Sequence, residues 1–139
     1  MKSGAIFMVK KKILIVGASS LLGKACCKLL SHEYFIYSLG RTEIENVDKH
    51  IICDLSQTID LNILPENVNV VLYLAQSNNY KDFDSFSHEI FSINTIRPFE
   101  LAEYYKTKNI SQFIYASTGG IYDTSSEFHR EEETIKDIE

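Results

Sequence analysis

The chain has 139 residues, a formal net charge of −5 and a 45% share of hydrophobic residues, enough for one domain with a proper core. The negative balance, with no basic patch interleaved with aromatics, excludes a general nucleic-acid binder, and no apolar run is long enough for a membrane helix. His32, His50, His88 and His129 show no metal-ligand spacing, and Cys26, Cys27 and Cys53, without a C-x-x-C, read as reduced thiols of a cytoplasmic protein.

Residues 1–11 read as an N-terminal extension. The apolar stretch within Met1–Met8 is too short for a signal peptide, its lysines follow it at 10–12, and Met8 is a candidate start. The organising stretch comes next. Ile13–Val16 is an unbroken, β-branched apolar run, which predicts a strand buried on both faces as in a parallel sheet. Gly17 allows a tight turn. Leu22, Ala25, Cys26, Leu29 and Leu30 then fall at helical spacing and predict the buried face of a helix, with Ser19 and Ser20 as candidate N-caps. A buried strand, a small-residue turn and a helix N-terminus make an anion site, because the first free N–H groups and the dipole converge there.

Further strands are predicted over residues 34–39, 50–53, 68–74 and 112–116, with a long helical region from about Asp82 to Lys108. Alternating strands and helices imply an α/β fold, a Rossmann-type parallel sheet of about five strands in the order 3-2-1-4-5 with helices on both faces. The crevice then lies between the first and fourth strands. Gly17–Gly23, Arg41, Asp54, Ala75–Ser77 and Ser117–Thr118 all follow strands, so their loops open on one edge of the sheet. The domain spans 12–122, and the polar, acidic residues 123–139 read as a flexible tail with a helical turn around Glu131 to Ile135.

The spacing Gly17-x-x-Ser20-x-x-Gly23 resembles the G-x-x-G-x-x-G turn of the extended short-chain dehydrogenase/reductases, the NAD(P)-dependent epimerase/dehydratase family, with Ser20 in place of the middle glycine. A strand-turn-helix that binds nothing is the alternative for this segment alone. The resemblance implies a dinucleotide held at Gly17, Ser19, Ser20, Leu21, Leu22 and Gly23. Arg41, after the second strand, suits the extra phosphate of NADP, since a guanidinium pairs well with a dianion; Glu43 and Glu45 lie nearby, and NADP is favoured over NAD. An ordinary solvated arginine is the other reading. Asp54-Leu55 resembles the family's pair at the adenine amino group, and Asp54 also suits a cap for the turn that follows. Leu74-Ala75-Gln76 is similar to the family's H-L-A-A segment, where small side chains let the backbone approach the cofactor ribose.

Asn94 is a poor residue for a helix interior, and Pro98 removes the N–H that would return to its carbonyl. In the family that asparagine serves a water relay and a local bend; a plain break between two helices is the alternative. Ser117-Thr118-Gly-Gly-Ile-Tyr122 resembles the family's S-[ST]-x-x-V-Y segment. This implies that Thr118, or Ser117 beside it, orients the substrate oxygen whose carbon exchanges hydride.

In the family the base is a tyrosine of a Tyr-x-x-x-Lys pair on the next helix. Here that spacing occurs only at Tyr104–Lys108, ahead of the fifth strand and at the end of its helix away from the crevice, and chance explains it. The resemblance covers nearly all of this chain but about the first half of the family's length, so the catalytic helix and the substrate part are expected beyond Glu139. Three expectations follow. The parent acts on nucleotide sugars by epimerisation, dehydration or reduction, and this chain alone is catalytically incomplete. A non-catalytic dinucleotide sensor or scaffold is the alternative, while a flavodoxin-like regulator is disfavoured by Gly17-Ala-Ser-Ser. An open fifth strand predicts homo-oligomers through the sheet edge unless the tail covers it.

Overall fold

In the computed structural model, residues 9–117 and Arg130 are described. Five parallel strands form one sheet: β1 (Lys11–Val16), β2 (Tyr34–Gly40), β3 (Lys49–Ile52), β4 (Val70–Tyr73) and β5 (Gln112–Tyr115). Their order is β3-β2-β1-β4-β5. Register runs Ile13↔Ile36 and Ile13↔Val70 around β1, Leu39↔Ile51 outward on one side and Leu72↔Ile114 on the other. All four residues of Ile13–Val16 are buried, which is what their unbroken apolar run requires.

Alternation along β1 sends side chains to two cores. Leu14 and Val16 join Leu39, Val71, Tyr73, Leu101 and Tyr105 on one face. Ile13 and Ile15 join Ile36 and Cys27 on the other. Helix α1 (Leu21–Leu30) covers this second face with only part of the side expected from sequence: Cys26 and Leu30 pack half-buried on the core. Leu22 and Leu29 are 55% and 74% exposed, and Ala25 is exposed too. The buried residues are Gly23 and Cys27, which with half-buried Cys26 and Leu30 make a stripe of the same helical period. The deciding contact is at Gly23, where an added Cβ would lie 2.5 Å from the Gly17 carbonyl oxygen. Only a residue without a side chain lets the helix dock this closely, and the docking fixes its rotation. Burial pushes the Cys27 thiol up to about 11, so it stays a protonated packing group.

The first core is closed by the stretch after β4. The helix expected over 82–108 is three joined pieces: α2 (Phe83–Phe91), a π-helical turn over Ser92–Ile96, and α3 (Arg97–Lys106). Asp82 caps α2 by accepting the Ser85 N–H at 3.3 Å. Pro98 explains where the widened turn sits. It has no N–H to return to Asn94 in α spacing or to Ile93 in π spacing. Two tyrosines supply donors instead: the Tyr73 hydroxyl donates to the Ile93 carbonyl, and the Tyr115 hydroxyl donates to the Asn94 carbonyl at 2.9 Å. The Asn94 carbonyl that Pro98 leaves without its helical N–H therefore has a phenol partner from the chain itself. The Tyr73 and Tyr115 rings lie 5.7 Å apart, on paired positions of β4 and β5.

Candidate functional site

A cavity of about 750 Å³ opens at the C-terminal ends of the strands, where the order reverses between β1 and β4. Ligands of doubly wound sheets bind at such a switch point. Of the residues singled out in the sequence, Gly17, Ser19, Ser20, Leu21, Leu22, Arg41, Asp54, Leu55, Leu74, Ala75, Gln76, Asn94 and Ser117 all line this one cavity. Gly23 stands behind the wall, packed on the Gly17–Ala18 backbone. Thr118 and Tyr122 lie outside the described residues, as do the tail from 131 and the helical turn expected there.

The first wall is the turn from β1 into α1. Gly17 has φ +83, a left-handed conformation, and its N–H donates to the Leu39 carbonyl at 3.2 Å. Ser20 has φ −67 and ψ 165, extended backbone that any residue adopts, so the turn needs no glycine there. Its hydroxyl accepts the Gly23 N–H at 3.0 Å and caps the helix. The first backbone bond of α1 runs from Lys24 to the Ser20 carbonyl at 2.9 Å, which leaves Leu21 and Leu22 N–H groups without an intrahelical acceptor beside the cavity. Leu21 is 91% exposed at this edge. Donors and helix dipole together favour an anion here. Ser20→Ala is expected to lower unfolding stability by about 1 kcal/mol. A urea melt with an unchanged midpoint would contradict the capping role.

The second wall carries Gly40, Arg41, Cys53, Asp54 and Leu55. Asp54 does cap the turn after β3: its Oδ1 accepts the Ser56 N–H at 3.0 Å and the Ser56 hydroxyl at 2.8 Å. These bonds, with Arg41 adding its positive charge, hold the carboxyl below the usual carboxylate range. Its folded-state pKa is thus depressed, and the bonds favour folding above the unfolded pKa and are lost as pH falls through the folded one. Burial, and then the neighbouring Asp54 charge, push the Cys53 thiol up. Arg97, at the start of α3 and only 6% exposed, holds this wall from behind. Its Nε donates to the Leu55 carbonyl at 3.2 Å while its guanidinium pairs with Glu100. Sequence reasoning passed over Arg97. The available signal was an arginine three residues before a glutamate, since a buried cation needs a partner.

The third wall is the loop after β4. Asn94 and Ser77 meet here, with the Ser77 N–H donating to Asn94 Oδ1 at 2.9 Å. Asn94 thus fastens the loop with its side chain and β5 with its carbonyl. Ser77 enters the sequence reading only as the end of the Ala75–Ser77 loop, and Asn79 and Glu89 were not singled out. Their pairing spans ten and twelve positions between a loop and a helix, and no local pattern announces it. Tyr80, Tyr115 and Ser117 complete the opening.

Tyr104 and Lys108 lie elsewhere. Tyr104 packs against the first core, and Lys108 pairs with Glu66 at 2.6 Å beside a second hollow of about 400 Å³. That hollow, lined by Lys10, Lys12, Asn69 and Asn109 among others, is at the N-terminal ends of the strands, opposite the crevice.

A family model described as the NAD dependent epimerase/dehydratase family matches residues 13–138. GDP-mannose 3,5-epimerase of Arabidopsis thaliana is 26% identical over 119 residues, 80% of this chain and 32% of that protein. The fold matches UDP-N-acetylglucosamine 4-epimerase from Methanobrevibacter ruminantium M1, solved with UDP-N-acetylmuramic acid, with a TM-score of 0.73 at 17% identity over 93% of this chain and 45% of that one. It also matches a short-chain dehydrogenase/reductase superfamily protein from Agrobacterium tumefaciens, solved with bound NAD, with a TM-score of 0.71 at 18% identity over 92% of this chain and 40% of that one. The chain therefore spans about a third to under a half of the length of these relatives.

Proposed function

The chain belongs to the NAD-dependent epimerase/dehydratase family, and from that premise we propose that its crevice binds a nicotinamide dinucleotide in the service of nucleotide-sugar chemistry. The observation that carries this is the cavity itself. Thirteen separately chosen residues, from Gly17 to Ser117, line it at the switch point of the sheet.

Gly17 and Gly23 bring two backbones together where side chains would collide, and the free Leu21 and Leu22 N–H groups face the space created, a cradle suited to a pyrophosphate. Arg41 and Asp54 would hold the adenosine half, with Arg41 favouring the additional phosphate of NADP. Ala75, Gln76, Asn94 and Ser117 would face the nicotinamide half. When bound, the nicotinamide supplies a hydride acceptor and donor. The chain's own part is to bind and orient. Ser117, with Thr118 after it, would hold a substrate hydroxyl by a hydrogen bond.

Proton removal from that hydroxyl needs a positioned base, worth about 10²–10⁴ in rate. The Tyr-x-x-x-Lys spacing of these 139 residues lies at Tyr104–Lys108, beside the opposite hollow, with Lys108 tied to Glu66. These residues by themselves are therefore proposed to bind without appreciable turnover. The same observation favours a second reading, a dinucleotide-binding sensor or scaffold. Ile114 and Tyr115 of β5 are 44% and 45% exposed at the sheet edge, which supports self-association along that strand.

Titrating the chain with NADPH and with NADH, and following the coenzyme's own fluorescence, tests the proposal without interference from tryptophan, which the chain lacks. Saturable binding of at least one is expected. No affinity for either would overturn the catalytic and the sensor readings together.

A further inference from the structure

We infer that Glu89 is a positioning residue for the crevice: its carboxylate locks the loop after β4 in the shape that presents Ala75–Ser77 to a ligand. The inference rests on the dinucleotide reading above. Glu89 lies on α2 and does not line the cavity. It acts through two residues that the loop sends back to it.

Ser77 is only 1% exposed, and its N–H and hydroxyl are both engaged. Its N–H donates to Asn94 Oδ1 at 2.9 Å. Its hydroxyl donates to Glu89 Oε1 at 2.6 Å and accepts the Asn79 N–H at 3.1 Å. Asn79 then donates its side-chain amide to Glu89 Oε1 at 3.2 Å and Oε2 at 3.3 Å. The result is a closed ring, Ser77 to Glu89 to Asn79 and back to Ser77.

The chemistry of the ring calls for a carboxylate. Both groups that approach Glu89 are donors, so the group between them must accept only, and an ionised carboxylate does. Charge also strengthens these bonds relative to neutral ones. The loop so fixed begins at Ala75, whose backbone lies against Gly17. One helix residue thereby couples the third wall of the crevice to its first. With the ring broken, the loop samples other shapes, and apparent affinity falls in proportion to the time it spends in the competent one.

The test uses the full chain and two readouts: the dissociation constant for NADH, or for NADPH if that binds tighter, and amide hydrogen exchange of the free protein. Glu89→Ala is expected to weaken coenzyme binding about tenfold, as for a loop competent about a tenth of the time. It should speed exchange at Ser77 and Asn79 while Val71 and Leu72 in β4 keep their protection. Glu89→Gln keeps an oxygen at Oε1, which both Ser77 and Asn79 use, and replaces only Oε2, so exchange at both backbone amides and coenzyme affinity should stay within about threefold of wild type. Unchanged exchange at Ser77 and Asn79 in Glu89→Ala overturns the inference, as does a global rise that includes Val71 and Leu72. If Glu89→Ala does not fold, Asn79→Ala decides it: it removes the side-chain amide that Glu89 holds, exchange at Ser77 should rise, and Ser77 protection equal to wild type overturns the inference. A wild-type chain that binds neither coenzyme would instead overturn the dinucleotide reading, and the exchange comparison still decides the lock.

Discussion

Replacing Gly17 by alanine is expected to lower unfolding stability by about 3–5 kcal/mol and to abolish coenzyme binding. Two separate causes act on the same atom. The backbone holds φ +83, where a Cβ is strained, and that Cβ would stand 2.5 Å from the Ala75 nitrogen and 2.6 Å from its Cα. Neither neighbour is a flexible side chain that could swing away. Relief requires β1 and the loop after β4 to separate, and that gap is the crevice floor. Since a whole domain has about 5–15 kcal/mol in reserve, the variant should fold marginally, with a lower urea midpoint and an unchanged slope. Gly40→Ala is the control for stability, because a Cβ there meets nothing within 4 Å and its effect should stay within about 0.5 kcal/mol. A Gly17→Ala chain that melts and binds like wild type would remove the close approach from the account.

Arg41→Ala should separate the two coenzymes. Arg41 lines the second wall at the end of β2, close enough to Asp54 to lower its pKa. A charge-assisted bond to an added phosphate contributes about 1.5–3 kcal/mol, so NADPH affinity should fall by about 10- to 100-fold. NADH lacks the phosphate that pairs with that guanidinium, and its affinity should stay within about threefold. Raising the salt concentration should shrink the difference between wild type and variant, since the charges are exposed to solvent. Equal losses for both coenzymes would make Arg41 a general support of the wall, and no loss for either would return it to the ordinary surface.

The strands were legible because buried parallel strands are short apolar runs, and Ile13–Val16 has no polar residue to obscure it, while their order followed from the alternation of strands and helices. The turn was legible for a narrower reason. Its two demanding positions, Gly17 and Gly23, do carry glycine, while the departure at Ser20 falls where the backbone is extended and tolerates any residue. The rotation of α1 was not legible. Cys26 and Leu30 do lie on the covering side, but Leu22, Ala25 and Leu29 fit the same period and are exposed, while Gly23 and Cys27 are the buried residues, and hydrophobicity favours the leucines. What decides between them is a backbone contact with Gly17, which no periodicity contains.

The middle of the chain shows a second kind of limit. Asn94 and Pro98 announced an irregularity in the long helix, but the π-helical turn depends on Tyr73 and Tyr115, which lie 20 and 21 positions from the carbonyls they serve. Arg97 reaches the Leu55 carbonyl across 42 positions. Such contacts exist only once the sheet has brought the strands into register. Local propensity and spacing locate elements and the turns between them, while the polar fastenings that shape the crevice are set by tertiary contact.

The most direct measurement is a map of backbone amide chemical shifts on the full chain as NADPH or NADH is added. The account places a pyrophosphate against the amino end of α1, so the largest changes should fall at Gly17–Leu22, Arg41, Asp54 and Ala75–Ser77, and saturate together. Changes gathered instead around Lys10, Asn69 and Lys108 at the opposite ends of the strands, or no change at any of these positions, would contradict it.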